Sequence, residues 1–489
     1  MESIGYVCVF LVFLSVFLLF SSSSEASVLH RIDLDEESVL VNSSFVVGSE
    51  DPVGGTRITI GQEEDIDIVG VDSTVGDASY YYEDGRAVIS VDSVLPRKEH
   101  DVQMMWRSRD GVSESFGGPM KFDVDLFGFE GKETTAVVQD SNILSWNEPL
   151  GFQSQYSDGS LKFRGHGHLW LCGHFSDLGE DTENYRYFGN YSFDGADDLV
   201  ALVEYITGVS NPHERIPVVL LDDTTYDQEF SPWSDGTYET CGLVTIRKSL
   251  GKTDKLKTLL HETVHAFNSR ALKWDNTETA YYDEGKAQFV EVLTSEAIGS
   301  PRSEVFGDVV YYEENGKRYR INPRSSSDEL WDYYTEDDAW IKYWSPRRDE
   351  FRGMREFGYA FSELIVRNQV EKEGVGSLRD IYEKLWEIDR NIESADEKAK
   401  IMENLVDLRP CYSENRTEFE NCLKDINSQR FNLSGIDLNH TVRDHRVEIE
   451  IGEDIIIGDS GSLVMFFEDL VRKVVDIFEG VSFWISRKL

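Results

Sequence analysis

Residues Lys255-Leu256-Lys257-Thr258-Leu259-Leu260-His261-Glu262-Thr263-Val264-His265-Ala266-Phe267 decide how the middle of this 489-residue chain is read. Thr253 and Asp254 precede them as helix-capping residue types, and Leu256, Leu259, Leu260, Val264 and Phe267 recur at helical spacing. The spacing predicts a helix from Lys255 to about Leu272 with one apolar face turned to a core. On such a helix residues four apart differ by only about 40° around the axis, so His261 and His265 project from one face with Glu262 beside them.

Two imidazoles so placed can share a metal ion, and a catalytic zinc needs a third protein ligand plus an open position for water. Eighteen residues separate His265 from Glu284, which lies in Asp283-Glu284-Gly285-Lys286-Ala287 on a second helical pattern from Thr279 to Ala297. The expected chemistry is one Zn2+ held by His261, His265 and Glu284, with Glu262 as general base toward the ion's water. Two imidazoles and a carboxylate suit zinc better than the harder divalent ions. The plainer reading of the same residues is a helix with two surface histidines.

Together the two segments resemble the gluzincin zinc metallopeptidases. Within them they are similar to the aminopeptidase-N-like branch, whose third ligand follows the second histidine after eighteen residues in an Asn/Asp-Glu-Gly-x-Ala context. The resemblance covers about residues 196 to 388. It implies a thermolysin-like catalytic domain that hydrolyses peptide bonds, with extended substrate held along an edge strand expected at Gly242 to Ile246.

Two departures accompany the resemblance. The Gly-x-Met-Glu-Asn segment that binds a substrate's free amino end in that branch is absent, and Glu239, just before the expected strand, is a poor replacement. The branch's oxyanion-binding tyrosine stands three residues before a helix-starting glycine; with that glycine at Gly358, Arg355 takes its place. Tyr359 is then the first candidate for the oxyanion, with Arg355 and Tyr343 as the others, and each also reads as a packing or surface residue. The choice between exopeptidase and endopeptidase stays open.

Upstream, Thr56 to Ile60, Asp65 to Val71, Ala87 to Val94, Val102 to Arg107 and Met120 to Phe127 are short alternating runs divided by Gly, Asp and Ser, the pattern of a β-sandwich. His166, His168 and His174 fall on one face of a strand if residues 160 to 175 stay regular; a solvent face or packing beside Trp170 is the preferred reading over a second metal site. Beyond Tyr191 the period becomes helical, with a buried strand at Ile216 to Leu221 and further helices at Phe351 to Val370 and Ser377 to Ile388. The fold class expected is a multidomain α+β chain: signal peptide 1–26, β-rich domain 27–178, gluzincin-like catalytic domain 179–390, and a small, mostly helical region 391–489.

The segment Tyr6 to Phe20, followed by Ser21 to Ala26, reads as a signal peptide, with an uncleaved anchor as the alternative because no Lys or Arg precedes it. Either places the rest of the chain outside the cytoplasm, secreted or at the cell surface. Five sequons, at Asn42, Asn190, Asn415, Asn432 and Asn439, fit that compartment. Four cysteines remain after Cys8; Cys411 with Cys422 and Cys172 with Cys241 is the favoured pairing of three, and Cys172 and Cys241 as buried thiols is the other reading.

A formal charge of −43 spread along the chain argues against nucleic acid as a partner and leaves a peptide or protein substrate. The apolar-rich helix expected from Leu463 carries Glu468, Asp469, Arg472, Lys473, Asp476 and Glu479, which forbid a bilayer span. It reads as packed on the protein, with weak membrane-surface contact through Phe483 and Trp484 as the alternative. Two other functions stay open: a gluzincin-like cell-surface binding protein without catalysis, and a zinc hydrolase of another ester or amide.

Overall fold

The computed structural model describes most of the chain from Val28 to Phe431 apart from short stretches, the longest being 269–278. The expectations for residues 1–26, the helix from Leu463, Tyr343, and the sequons at Asn190, Asn432 and Asn439 lie outside the described residues. The chain divides into two compact units, 1–114 with 120–143 and 148–175, and 115–119 with 144–147 and 176–489.

The first unit is built of strands. Each of the five alternating runs forms one, at Thr56–Gln62, Ile66–Ser73, Arg86–Val91, Glu99–Ser108 and Met120–Leu126. Strand Val28–Leu34 lies inside a seven-stranded sheet, antiparallel to Val39–Gly48 and parallel to Glu133–Gln139. Strands Met120–Leu126 and Leu169–Phe175 pair in a second sheet. Alternation turns Val28, Ile32, Val41, Phe45, Met104 and Trp106 inward from the first sheet, and Phe122, Val124, Leu126, Leu169 and Leu171 are buried in the second. Phe45 and His30 both meet the Phe127 ring edge-on, at 5.4 and 4.9 Å.

Residues 160 to 175 do not form one regular strand. Strand Ser160–His166 ends at Gly167, which adopts a left-handed φ of 83°, and the chain resumes as Leu169–Phe175. The turn separates the three histidines: His166 and His168 are exposed, His168 pairing with Asp125 at 2.8 Å, and His174 is buried in the second strand.

The second unit holds a five-stranded sheet in the order Glu180–Asp181, Tyr185–Phe188, Ile216–Leu221, Val244–Arg247, Gly236–Tyr238. Ile216–Leu221, apolar throughout, sits centrally between parallel neighbours, as a strand covered on both faces requires. The edge differs from expectation. Val244–Arg247 is flanked on both sides, and the short antiparallel Gly236–Tyr238 forms the rim.

Helix Lys252–Asn268 carries the histidine motif, starting three residues earlier than the periodicity suggested, and helix Ala280–Ala297 carries Glu284. Helices Arg355–Glu373 and Gly376–Asn391 follow. Leu259, Leu260, Val264 and Phe267 of the motif helix, Phe289, Val290 and Leu293 of the glutamate helix, and Phe361, Leu364 and Ile365 share one buried cluster. Met402, Phe419 and Ile426 from helices Ala395–Leu405 and Arg416–Ser428 join it. Cys411 pairs with Cys422, and Cys172 and Cys241 are disulfide-bonded as well. Among the described residues no helix is long and apolar enough to cross a membrane.

Candidate metal centre

The motif helix is fixed to the sheet beside it. Thr263, inside the motif, donates its hydroxyl to Leu259 O and meets the Tyr185 hydroxyl of a sheet strand at 2.9 Å. With Leu259 and Val264 buried beneath it, the helix holds its two histidines on a rigid support. Their rings stand 5.0 Å apart, centre to centre.

Glu284 reaches them because its neighbour is a glycine. A Cβ on Gly285 would lie 2.3 Å from Ser362 O of helix Arg355–Glu373, so only glycine lets the two helices approach this closely. Glu284 Oε2 then lies 3.3 Å from His261 Nε2 and 3.5 Å from His265 Nε2. Those separations match the edge of a tetrahedron around zinc, about 3.3 Å for bonds of about 2.0 to 2.1 Å. The same Oε2 is buried without a hydrogen bond. Among the described residues His261, His265 and Glu284 are the one His/Cys/Asp/Glu group compact enough to hold a metal, with ligand atoms within 4.8 Å of one another. The donor set and its spacing fit a zinc ion.

Each imidazole turns its other nitrogen to a carboxylate. His261 Nδ1 donates to Glu291 Oε1 at 2.7 Å, and Gln288 Nε2 donates to the same oxygen at 3.1 Å. His265 Nδ1 donates to Asp283 Oδ2 at 2.7 Å. Bonds of this kind set the ring tautomer and leave both Nε2 atoms for a metal. Behind Asp283, Asn268 Nδ2 donates to Oδ1, and Lys286 Nζ donates to Asn268 Oδ1 at 3.0 Å.

The charges follow from these neighbours. Burial opposes a charge on His261, but Glu284, Glu291 and Glu262 outweigh it and raise its pKa to about 10. His265 is raised in the same way against burial by Asp283 and Glu284. Glu284 is held well below the usual carboxylate range, burial being outweighed by the two histidines. The carboxylates around the pair favour positive charge at the site.

Glu262 is buried next to the sheet rim. A Cβ on Gly236 would stand 3.1 Å from Glu262 Oε1 and 2.4 Å from Thr258 Cγ2, so the edge strand passes directly over this carboxylate. Glu239 follows that strand at once. Tyr359, half-buried, packs edge-on against Trp344 at 5.2 Å, and Gly358 leaves the space Trp344 fills. Arg355 lies 3.9 Å over the Trp233 ring and donates from Nε to Pro346 O at 3.0 Å, beside the loop that leads into the edge strand.

No family model matches the chain, and no curated protein matches it. Solved structures similar to it include an M1 zinc metallopeptidase from Deinococcus radiodurans, 13% identical, with 83% of this chain and 94% of that chain covered at a TM-score of 0.34. Another is an aminopeptidase A from Legionella pneumophila in complex with aspartic acid, 13% identical, with 77% of this chain and 48% of that chain covered at a TM-score of 0.35.

His261, Glu262, His265 and Glu284 were singled out from the sequence; Glu291, Gln288 and Asn268, which the structure places around the two histidines, were not. Glu291 had a signal, since it lies seven residues after Glu284 and so on the same helix face two turns on.

Proposed function

We propose that the second unit is a zinc-dependent peptidase centre in which His261, His265 and Glu284 bind one zinc ion and Glu262 is the general base. The observation that carries this reading is the meeting of two Nε2 atoms and one carboxylate oxygen at 3.3 and 3.5 Å. A bound zinc ion would make water more acidic and a substrate carbonyl more electrophilic there. Glu262 takes the proton of the attacking water and returns it to the leaving amine, which departs poorly as an anion. Asp283 and Glu291 hold the imidazoles so that their Nε2 atoms converge. Tyr359 is the proposed donor to the oxyanion, and Tyr359→Phe should slow turnover at unchanged zinc content.

The substrate is a peptide laid along Gly236–Tyr238, whose outer backbone groups can pair with an extended chain. In this placement Glu239 stands at the end of the rim strand, a better position for a free amino end than the sequence suggested. Gly236-Thr237-Tyr238-Glu239 keeps the glycine and glutamate of the Gly-x-Met-Glu pattern and departs at the methionine. Aminopeptidase action is therefore the form of the activity we propose. The disulfides support secretion or display at the cell surface, where such bonds persist.

Peptides with free and acetylated amino ends, with and without chelator, test this reading. Cleavage of the free-amine peptides, abolished by chelator and restored by zinc, is expected. Equal cleavage of acetylated peptides would remove the amino-end role of Glu239. Bound zinc with no cleavage of either would leave a metal-binding protein, and cleavage of esters alone another hydrolase.

A further inference from the structure

Lys286 is a fully buried ammonium in the middle of the glutamate helix, and the proposed reaction does not use it. Its Nζ lies 5.4 Å from the Tyr282 ring and 5.0 Å from the Tyr382 ring, and Tyr382 donates its hydroxyl to Phe267 O at the end of the motif helix. The described polar contact of the ammonium is with Asn268 Oδ1.

An ammonium has donors only, whereas a carboxamide has one face that accepts and one that donates. Bonded to Lys286, Asn268 must present its oxygen to the lysine, which turns its NH2 group to Asp283 Oδ1. Asp283 is thereby pinned through one oxygen and accepts the His265 Nδ1 proton with the other. Resting on the zinc reading above, we propose that Lys286 is a positioning residue for the metal: through Asn268 and Asp283 it locks the tautomer and rotation of His265, so that Nε2 stays on the metal position. The relay crosses from the glutamate helix to the end of the motif helix and back to the glutamate helix before it reaches the ligand. It ties the two ligand-bearing helices together at the polar end of the site.

The experiment is a double-substitution cycle in zinc affinity, read by competition with a chromogenic chelator on the full chain, with thermal unfolding of each variant as the folding control. Lys286→Met keeps the length of the side chain and removes its donors; Asn268→Leu cuts the relay one link nearer the metal. Each alone should weaken zinc binding about tenfold, the range for loss of an outer-shell partner. The two together should weaken it by about the same tenfold, because both break one chain. Cobalt-substituted protein should show a shifted visible spectrum in both variants.

Unchanged zinc affinity in either folded variant, or about a hundredfold loss in the double variant, would overturn the proposal, since independent structural effects multiply. If Lys286→Met does not fold, Asn268→Leu still tests the relay with the ammonium in place, through its zinc affinity and its cobalt spectrum. A wild-type chain that binds no zinc would instead sink the metal reading itself, a result distinct from a zinc-binding chain whose variants bind as well as it does.

Discussion

His30 in the first unit and the pair His261 and His265 in the second are all buried, yet their surroundings push them in opposite directions. His30 donates from Nε2 to Phe127 O and accepts on Nδ1 from Ser43, whose oxygen also receives the Trp106 indole N–H. No carboxylate belongs to that set, and burial lowers its pKa to about 4. Around His261 and His265 burial is as complete, but Glu262, Asp283, Glu284 and Glu291 outweigh it. A buried histidine with neutral partners is a packing group; a pair enclosed by carboxylates with both Nε2 atoms converging has the surroundings a cation site needs. The charge of the partners, more than burial, separates the two.

That contrast can be broken most forcefully at Glu284. Glu284→Ala would remove one of the three proposed zinc ligands, so zinc affinity should fall by more than the roughly hundredfold that an outer-shell loss can cost, and hydrolysis with it. Chelator competition and peptide cleavage measure both, and retained tight binding would mean that Glu284 is not what sets the histidine pair apart from His30.

Acid tests the other side. His30 is held neutral, with a pKa of about 4 against an ordinary 6.5, so its contribution is complete above pH 6.5 and is lost as the pH falls toward 4. The loss should reach about 3 kcal/mol at pH 4. Denaturant unfolding at pH 7 and pH 4 should show a steeper acid loss for wild type than for His30→Gln; equal losses would remove His30 as a source of acid sensitivity.

A smaller effect belongs to the carboxylates behind the two histidines. Glu291→Gln and Asp283→Asn should each lower zinc affinity about ten- to a hundredfold with the fold intact. Isothermal titration with zinc measures it, and unchanged affinity in both would mean that the histidines hold their tautomers without help.

The convergence of His261 and His265 was legible in the sequence because helical spacing and residue type are local properties, and Leu259, Val264 and His265 show both at once. The long alternating strands were legible for the same reason. Gly236–Tyr238 was not, since three residues carry no period, and the longer apolar run after Gly242 looked like the rim although it is paired on both sides. The turn at Gly167 broke a run whose alternation read straight through it. Lys286 gave no sign of its burial, because a lone lysine within a helix is ordinarily solvated and only the arrival of Asn268, Tyr282 and Tyr382 encloses it. Contacts between distant segments decide such residues.

Zinc content and peptide hydrolysis of wild type and Glu262→Gln together test whether this site binds zinc and uses Glu262 as its base. One zinc per chain is expected in both proteins, with hydrolysis by Glu262→Gln reduced about a hundred- to ten-thousandfold. Wild-type protein without zinc, or Glu262→Gln cleaving at the wild-type rate, would contradict it.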